Sequence, residues 1–82
     1  MLKLKYIIID DILGVIFHGG IEHKVEANGR NVTSAGFCKL FPNGNSVDIE
    51  CYGRSNSLSI GSLPKDSLVL KAMLKNNEML VS

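Results

Sequence analysis

One segment restricts the fold more than any other: Ser34 to Ser57, SAGFCKLFPNGNSVDIECYGRSNS. It reads as a β-hairpin that runs straight into a Gly/Ser loop. Asn43-Gly44 supplies the positive φ angles that a tight hairpin turn needs, and Pro42 fits just outside it. A loop over residues 42–45, or a two-residue loop on Asn43-Gly44, gives the same register. Phe41 then faces Ser46, Lys39 faces Asp48 as a cross-strand ion pair, and Phe37 faces Glu50. Cys38 faces Ile49, and Cys51 faces Gly36. Cys38, Leu40, Val47, Ile49 and Cys51 share one apolar face, which belongs on the core. The other face carries Phe37, Phe41 and Tyr52 among charged residues.

After Tyr52 the composition changes abruptly. Gly53-Arg54-Ser55-Asn56-Ser57 is small, polar and rich in donors, and Ser59, Gly61 and Ser62 continue it. Leu58 and Ile60 alternate with the serines and anchor the segment to the core. Backbone N–H groups and hydroxyls in such a stretch can cradle an oxyanion, with Arg54 adding charge. The plain alternative is a polar connection between strand and helix.

The 82 residues fit a single domain, 1–82, with one modest core. Nine basic and eight acidic residues are well mixed, so no basic stripe exists to bind duplex nucleic acid. Lys3 and Lys5 precede an apolar run, but Asp10-Asp11 interrupts it before it could span a bilayer. No membrane association is expected. The two cysteines lack metal-site spacing and read as buried free thiols of a reducing cytosol. No metal and no cofactor are expected. A small core and a half-apolar outer hairpin face point to a homo-oligomer.

Leu2 to Ile9 alternates at first, then becomes apolar on both faces at Ile7-Ile8-Ile9, as a strand entering a central sheet position does. Asp10-Asp11 forms either a hairpin turn or a helical turn before a second β-branched run. Residues 21–28 read as a short helix, with Ile21 and Val25 one turn apart and Asn28-Gly29 as its C-terminal cap. His23 falls in its first turn, where the dipole favours a neutral imidazole, the form a nucleophile or general base needs. A surface histidine is the plain alternative. Pro64 opens a C-terminal helix over about 64–76, with Ser62 or Leu63 at the cap and Asp66 near the positive dipole end. Asn76-Asn77 ends it, and Met79 to Val81 is a frayed tail or a short edge strand. The class is α+β: a small antiparallel or mixed sheet of three to five strands with a central hairpin (about 34–41 and 46–52). The short helix and the C-terminal helix accompany it, the latter packed on the sheet.

The string Ser34-Ala35-Gly36-Phe37, Cys51-Tyr52-Gly53-Arg54-Ser55, Ser57-Leu58 and Pro64-Lys65-Asp66-Ser67 resembles a family of short uncharacterised phage and bacterial proteins. That resemblance covers about residues 14 to 75 and brings an element order without a function. Tyr52-Gly53-Arg54-Ser55 after a strand also resembles the YGYS segment of protein phosphohistidine phosphatases, the Janus family. By that resemblance Ser55 and Ser57 contact phosphate and His23 is the catalytic histidine. The family's second tyrosine is Arg54 here, and the interval from His23 to the hairpin is much shorter.

The expected function is a phage-type or bacterial accessory protein of the cytoplasm (the host cytoplasm if phage-encoded). It binds a phosphorylated small molecule, such as a nucleotide, without catalysis. Gly53, Arg54, Ser55, Asn56 and Ser57 hold the phosphate, with Arg30 and His23 at the pocket. One alternative is a phosphohydrolase with His23 as nucleophile or base. The other is a protein-interaction module using Phe37, Phe41 and Tyr52.

Overall fold

The computed structural model describes residues 4–75 and 80–81. In chain order the elements are β1 (Leu4–Ile9), β2 (Leu13–His18), α1 (His23–Ala27), β3 (Val32–Asn43) and β4 (Ser46–Tyr52). They continue with β5 (Arg54–Ser55), β6 (Ile60–Gly61), α2 (Asp66–Lys75) and β7 (Leu80–Val81). Five strands form one sheet in the order β4-β3-β1-β2-β7, and β5-β6 is a separate ribbon. Strands β1 to β4 pair antiparallel, while β7 joins β2 in parallel. The class is α+β.

β1 takes the middle because it is apolar on both faces. Tyr6 and Ile8 point to one core, which α2 covers through Leu70. Ile7 and Ile9 point to the other, which Ala27 of α1 shares and onto which Leu58 and Ile60 pack. The hairpin expected at the centre lies on a flank, since β4 forms the sheet edge.

Asp10-Asp11 makes a hairpin turn, not a helical one. Both residues are left-handed (φ 53° and 62°), and Ile12 N–H donates to Ile9 O at 3.1 Å. Two successive positive φ angles are the mark of a type I′ turn, and aspartate tolerates them better than most residues. Asn31 fastens this turn to the start of β3: its Nδ2 donates to Asp10 Oδ1 at 3.0 Å.

The β3–β4 register differs from the expected one by two residues. Phe37 lies opposite Tyr52, Cys38 opposite Cys51, Lys39 opposite Glu50 and Phe41 opposite Asp48. The reason is the turn. Its central pair is Gly44-Asn45, with positive φ at Gly44 (62°) and not at Asn43 or Asn45. That is the type II′ pattern with glycine first, in place of the expected loop over residues 42–45 or on Asn43-Gly44. A two-residue shift preserves both faces, so the core side is as expected except at Val47, which is exposed at the tip. The Lys39–Asp48 pair does not form. Asp48 instead accepts from Lys71 Nζ of α2 at 2.7 Å and from Asn43 Nδ2 at 3.0 Å. The Lys39 ammonium sits 5.2 Å from the Tyr52 ring centroid.

α2 begins at Asp66, two residues after the expected Pro64, because Pro64-Lys65 forms a lead-in turn. The expected stop at Asn76-Asn77 lies outside the described residues. The Asp66 carboxylate caps this start by reaching back three residues to accept from Leu63 N–H at 2.9 Å, the same interval that the acid of a capping box spans. It is fully buried and accepts twice more: from the Tyr6 hydroxyl, and from Ser34 Oγ at 2.8 Å. Gly14 of β2 brings the helix close: a Cβ there would lie 2.4 Å from Leu70 Cδ2. Among the described residues no helix is long and apolar enough to cross a membrane.

Asp66→Ala strips three donors of their acceptor, two of them buried hydroxyls. It is expected to lower the unfolding free energy by roughly 3 kcal/mol or more, while Asp66→Asn, which keeps one carbonyl oxygen, costs less. Urea denaturation, comparing midpoints at unchanged m, reads the difference.

Candidate functional site

The cross-strand register assembles one row of side chains on the α1 side of the sheet. Lys5 of β1 lies between Phe17 of β2 and Phe37 of β3, and Tyr52 of β4 follows Phe37. His23, the first residue of α1, is laid over this row. Its ring meets Phe17 edge-on at 5.5 Å between centroids and Phe37 edge-on at 5.7 Å. Phe37 in turn stacks on Tyr52 at 5.8 Å. Lys5 Nζ reaches up to donate to Ile21 O at 2.9 Å, using one of its three protons.

His23 is 3% exposed. Its Nε2 is 2.7 Å from Gly36 O. A carbonyl only accepts, so Nε2 carries the proton and donates. The ring is held neutral: its pKa lies below the ordinary 6.5, first through burial and then through the nearby Lys5 ammonium, with the Gly36 carbonyl opposing both. The expected helix-dipole cause is replaced by desolvation between two aromatic rings, since α1 has only five residues.

Beside His23 opens a cleft of about 260 Å³ lined by Lys5, Glu22, His23, Phe37, Arg54, Asn56 and Ser57. Two cations and one carboxylate thus share its lining. The second wall is the loop between β5 and β6. Ser55 is fully buried, and its Oγ accepts from Leu58 N–H at 3.2 Å and lies 3.4 Å from Ser57 Oγ. Ser57 Oγ also accepts from Lys24 N–H at 3.1 Å, which ties the loop to α1. With Ser55 turned inward, Arg54 and Asn56 turn to the cleft. The Arg54 guanidinium makes no hydrogen bond or ion pair to any described residue.

The expected residues therefore divide. His23, Arg54, Asn56 and Ser57 meet at the cleft. Gly53 and Ser55 shape the loop without lining it: Gly53 turns at φ 74°, and its carbonyl accepts from both Ser62 N–H and Ser62 Oγ. Arg30 is elsewhere, donating from Nε to Ala27 O at 2.9 Å and from Nη2 to Glu26 O at 2.6 Å, so it closes the end of α1. Lys5, Glu22 and Phe37 are the cleft residues that the sequence reading missed. The Lys3/Lys5 against Leu4/Tyr6 alternation put Lys5 on one face of β1, but only the pairing to β3 brings it to Phe37.

Cys38 and Cys51 lie directly opposite, not offset, and both are free thiols. Burial pushes the Cys38 pKa up to about 12 and raises that of Cys51, so neither offers a thiolate nucleophile at neutral pH. Among the described residues no three His, Cys, Asp or Glu side chains cluster to hold a metal ion. Phe37, Phe41 and Tyr52 are each half-buried, and the exposed large apolar side chains are Ile12, Val25, Val47, Leu63 and Leu68. No family model, curated protein or solved structure matches the chain.

Neutral burial of His23 has a definite pH consequence. Its folded pKa is below the unfolded value of 6.5, so as pH falls through 6.5 the unfolded chain takes up a proton that the folded chain does not. Stability is expected to fall with pH from about 6.5 down to the folded pKa, and to level off below it as far as this group is concerned. Denaturation midpoints measured from pH 7.5 to 5 read the slope, and His23→Gln, which keeps a donor for Gly36 O, should flatten it.

Proposed function

We propose that this protein binds a phosphorylated small molecule, such as a nucleotide, in the Lys5–His23–Arg54 cleft and does not turn it over. One observation carries the reading: Lys5 and Arg54 converge on one concave surface with Asn56 and Ser57, and the guanidinium there has no partner among the described residues. Arginine suits a phosphate because its fork matches two oxygens at once. At about 260 Å³ the cleft takes a phosphate and part of what it is attached to, leaving the rest in solvent. Gly53 and Ser55 act by holding the loop, and Arg30 has no part. A phage-type or bacterial accessory role in the cytoplasm and assembly as a homo-oligomer belong to the same proposal and rest on the sequence alone.

Titration calorimetry with inorganic phosphate and a panel of nucleotides tests it. Arg54→Ala removes charge-assisted hydrogen bonds worth about 1.5–3 kcal/mol and should weaken binding roughly tenfold to a hundredfold. Lys71→Ala, an equal change of charge on α2 outside the cleft, should leave it unchanged. Absence of binding, or equal loss in both variants, would reduce the loop to a connection.

A phosphohydrolase is the second reading, favoured by the placement of His23 in the same cleft as Ser57 and Arg54. Phosphoryl transfer demands mainly positioning and charge stabilisation, which a small scaffold can supply. Release of p-nitrophenol from its phosphate ester, abolished in His23→Gln, would select this reading; no turnover by a protein that binds phosphate would select the first.

A further inference from the structure

We propose that the cleft selects an oxyanion that itself carries a proton, hydrogen phosphate or a phosphomonoester monoanion, over a fully deprotonated one such as sulfate, with His23 Nδ1 accepting that proton's hydrogen bond. The inference rests on the anion-binding reading above and adds the chemistry of recognition to it.

The argument starts at Gly36 O. It fixes the proton of the neutral ring on Nε2, so Nδ1 presents a lone pair. Nδ1 has no hydrogen-bond partner among the described residues. Among the described residues no buried side-chain nitrogen or oxygen is left without a partner, and His23 lines the cleft, so Nδ1 opens onto it. The ring cannot swing to hide this lone pair, because Phe17 and Phe37 grip its edges. Nor is protonation a ready escape: the ring is buried and Lys5 is near.

The cleft therefore combines donors with a fixed acceptor. Lys5, Arg54, Asn56 and Ser57 donate; His23 Nδ1 accepts, and the Glu22 carboxylate at the rim is a second acceptor. An anion that only accepts would set its own lone pairs against Nδ1 in a partly desolvated site. Inorganic phosphate at neutral pH keeps at least one P–OH, and a phosphomonoester keeps one below its second pKa of about 6. Sulfate keeps none. The discrimination is of the kind that arises when a buried polar group is left unpaired by the wrong ligand.

The test uses the intact protein at pH 7 and constant ionic strength. Phosphate and sulfate are titrated separately by calorimetry, and the ¹⁵N resonances of the His23 ring are followed in parallel. Phosphate is expected to bind at least tenfold more tightly than sulfate and to move the Nδ1 resonance while the Nε2 resonance stays in place. Equal affinity for the two anions would overturn the selectivity and leave the anion site standing. Tight phosphate binding with an unmoved Nδ1 resonance would overturn the role of His23. If neither anion binds, both this proposal and the anion-binding reading fall.

Discussion

The Asp66 carboxylate holds the structure together at the point where three elements meet. It sits at the start of α2, takes the hydroxyl of Tyr6 from the central strand and the hydroxyl of Ser34 from β3, and closes the helix start on Leu63 N–H. A buried carboxylate is costly unless its lone pairs are filled, and here three donors fill them. The consequence runs both ways. Tyr6 cannot ionise in reach: burial and then its bond to Asp66 push its pKa far up. α2 cannot slide along the sheet without breaking the bonds to Tyr6 and Ser34 together. The apolar contacts of Leu70 and Met73 with β2 supply area, but the polar junction supplies position.

The cleft depends on this junction through one intermediate, Gly36. Tyr6 and Gly36 are direct partners across β1 and β3. An added Cβ at Gly36 would lie 2.6 Å from Tyr52 O and 3.4 Å from Gly53 O, so only glycine lets the chain leaving β4 pass so close to β3. The carbonyl of the same residue then holds His23. One backbone position thus sets where the Gly53–Ser57 loop departs and which nitrogen of the histidine faces it. The two walls of the cleft are fixed to one strand and not to each other's flexibility.

Much of this was readable from residue pattern, and the failures have a common cause. The Ile7-Ile8-Ile9 run announces the central strand, the Leu58/Ile60 alternation announces the loop anchors, and the change of composition after Tyr52 announces the loop. Each is a local signal. Asn43-Gly44-Asn45 offers two adjacent glycine-containing pairs for one turn, and nothing local chooses between them; the choice moved Cys51 opposite Cys38 and took Asp48 away from Lys39. Asp66 looked like a dipole partner because its hydroxyl donors are 60 and 32 residues away. Arg30 looked like a spare cation because a C-terminal carbonyl clamp leaves no spacing signature. Lys5 was visible as a face and invisible as a neighbour of His23, since that needs the β1–β3 pairing.

Lys5 is also the residue that the fold explains least. It occupies the central strand, flanked across the sheet by two phenylalanines, at a position where the neighbouring rows on the same face are apolar. Its stem covers that surface, and its ammonium escapes burial by rising to Ile21 O, at the edge of the cleft. The cation depresses the charged form of the histidine above it. An apolar residue there would pack between Phe17 and Phe37 with no ammonium to solvate and no repulsion toward a protonated His23. Folding accounts for the aliphatic stem, and the ammonium ties the chain before α1 to β1 through Ile21 O while lying 6.0 Å from the Phe37 ring centroid. A second cation, Arg54, reaches the same cleft from a different element, and its guanidinium has no partner among the described residues. Lys5 and Arg54 come to one cleft from separate parts of the chain, with Glu22 as the one carboxylate among its lining residues, and an anion bound between the two cations, as proposed, would relieve the repulsion that Glu22 leaves.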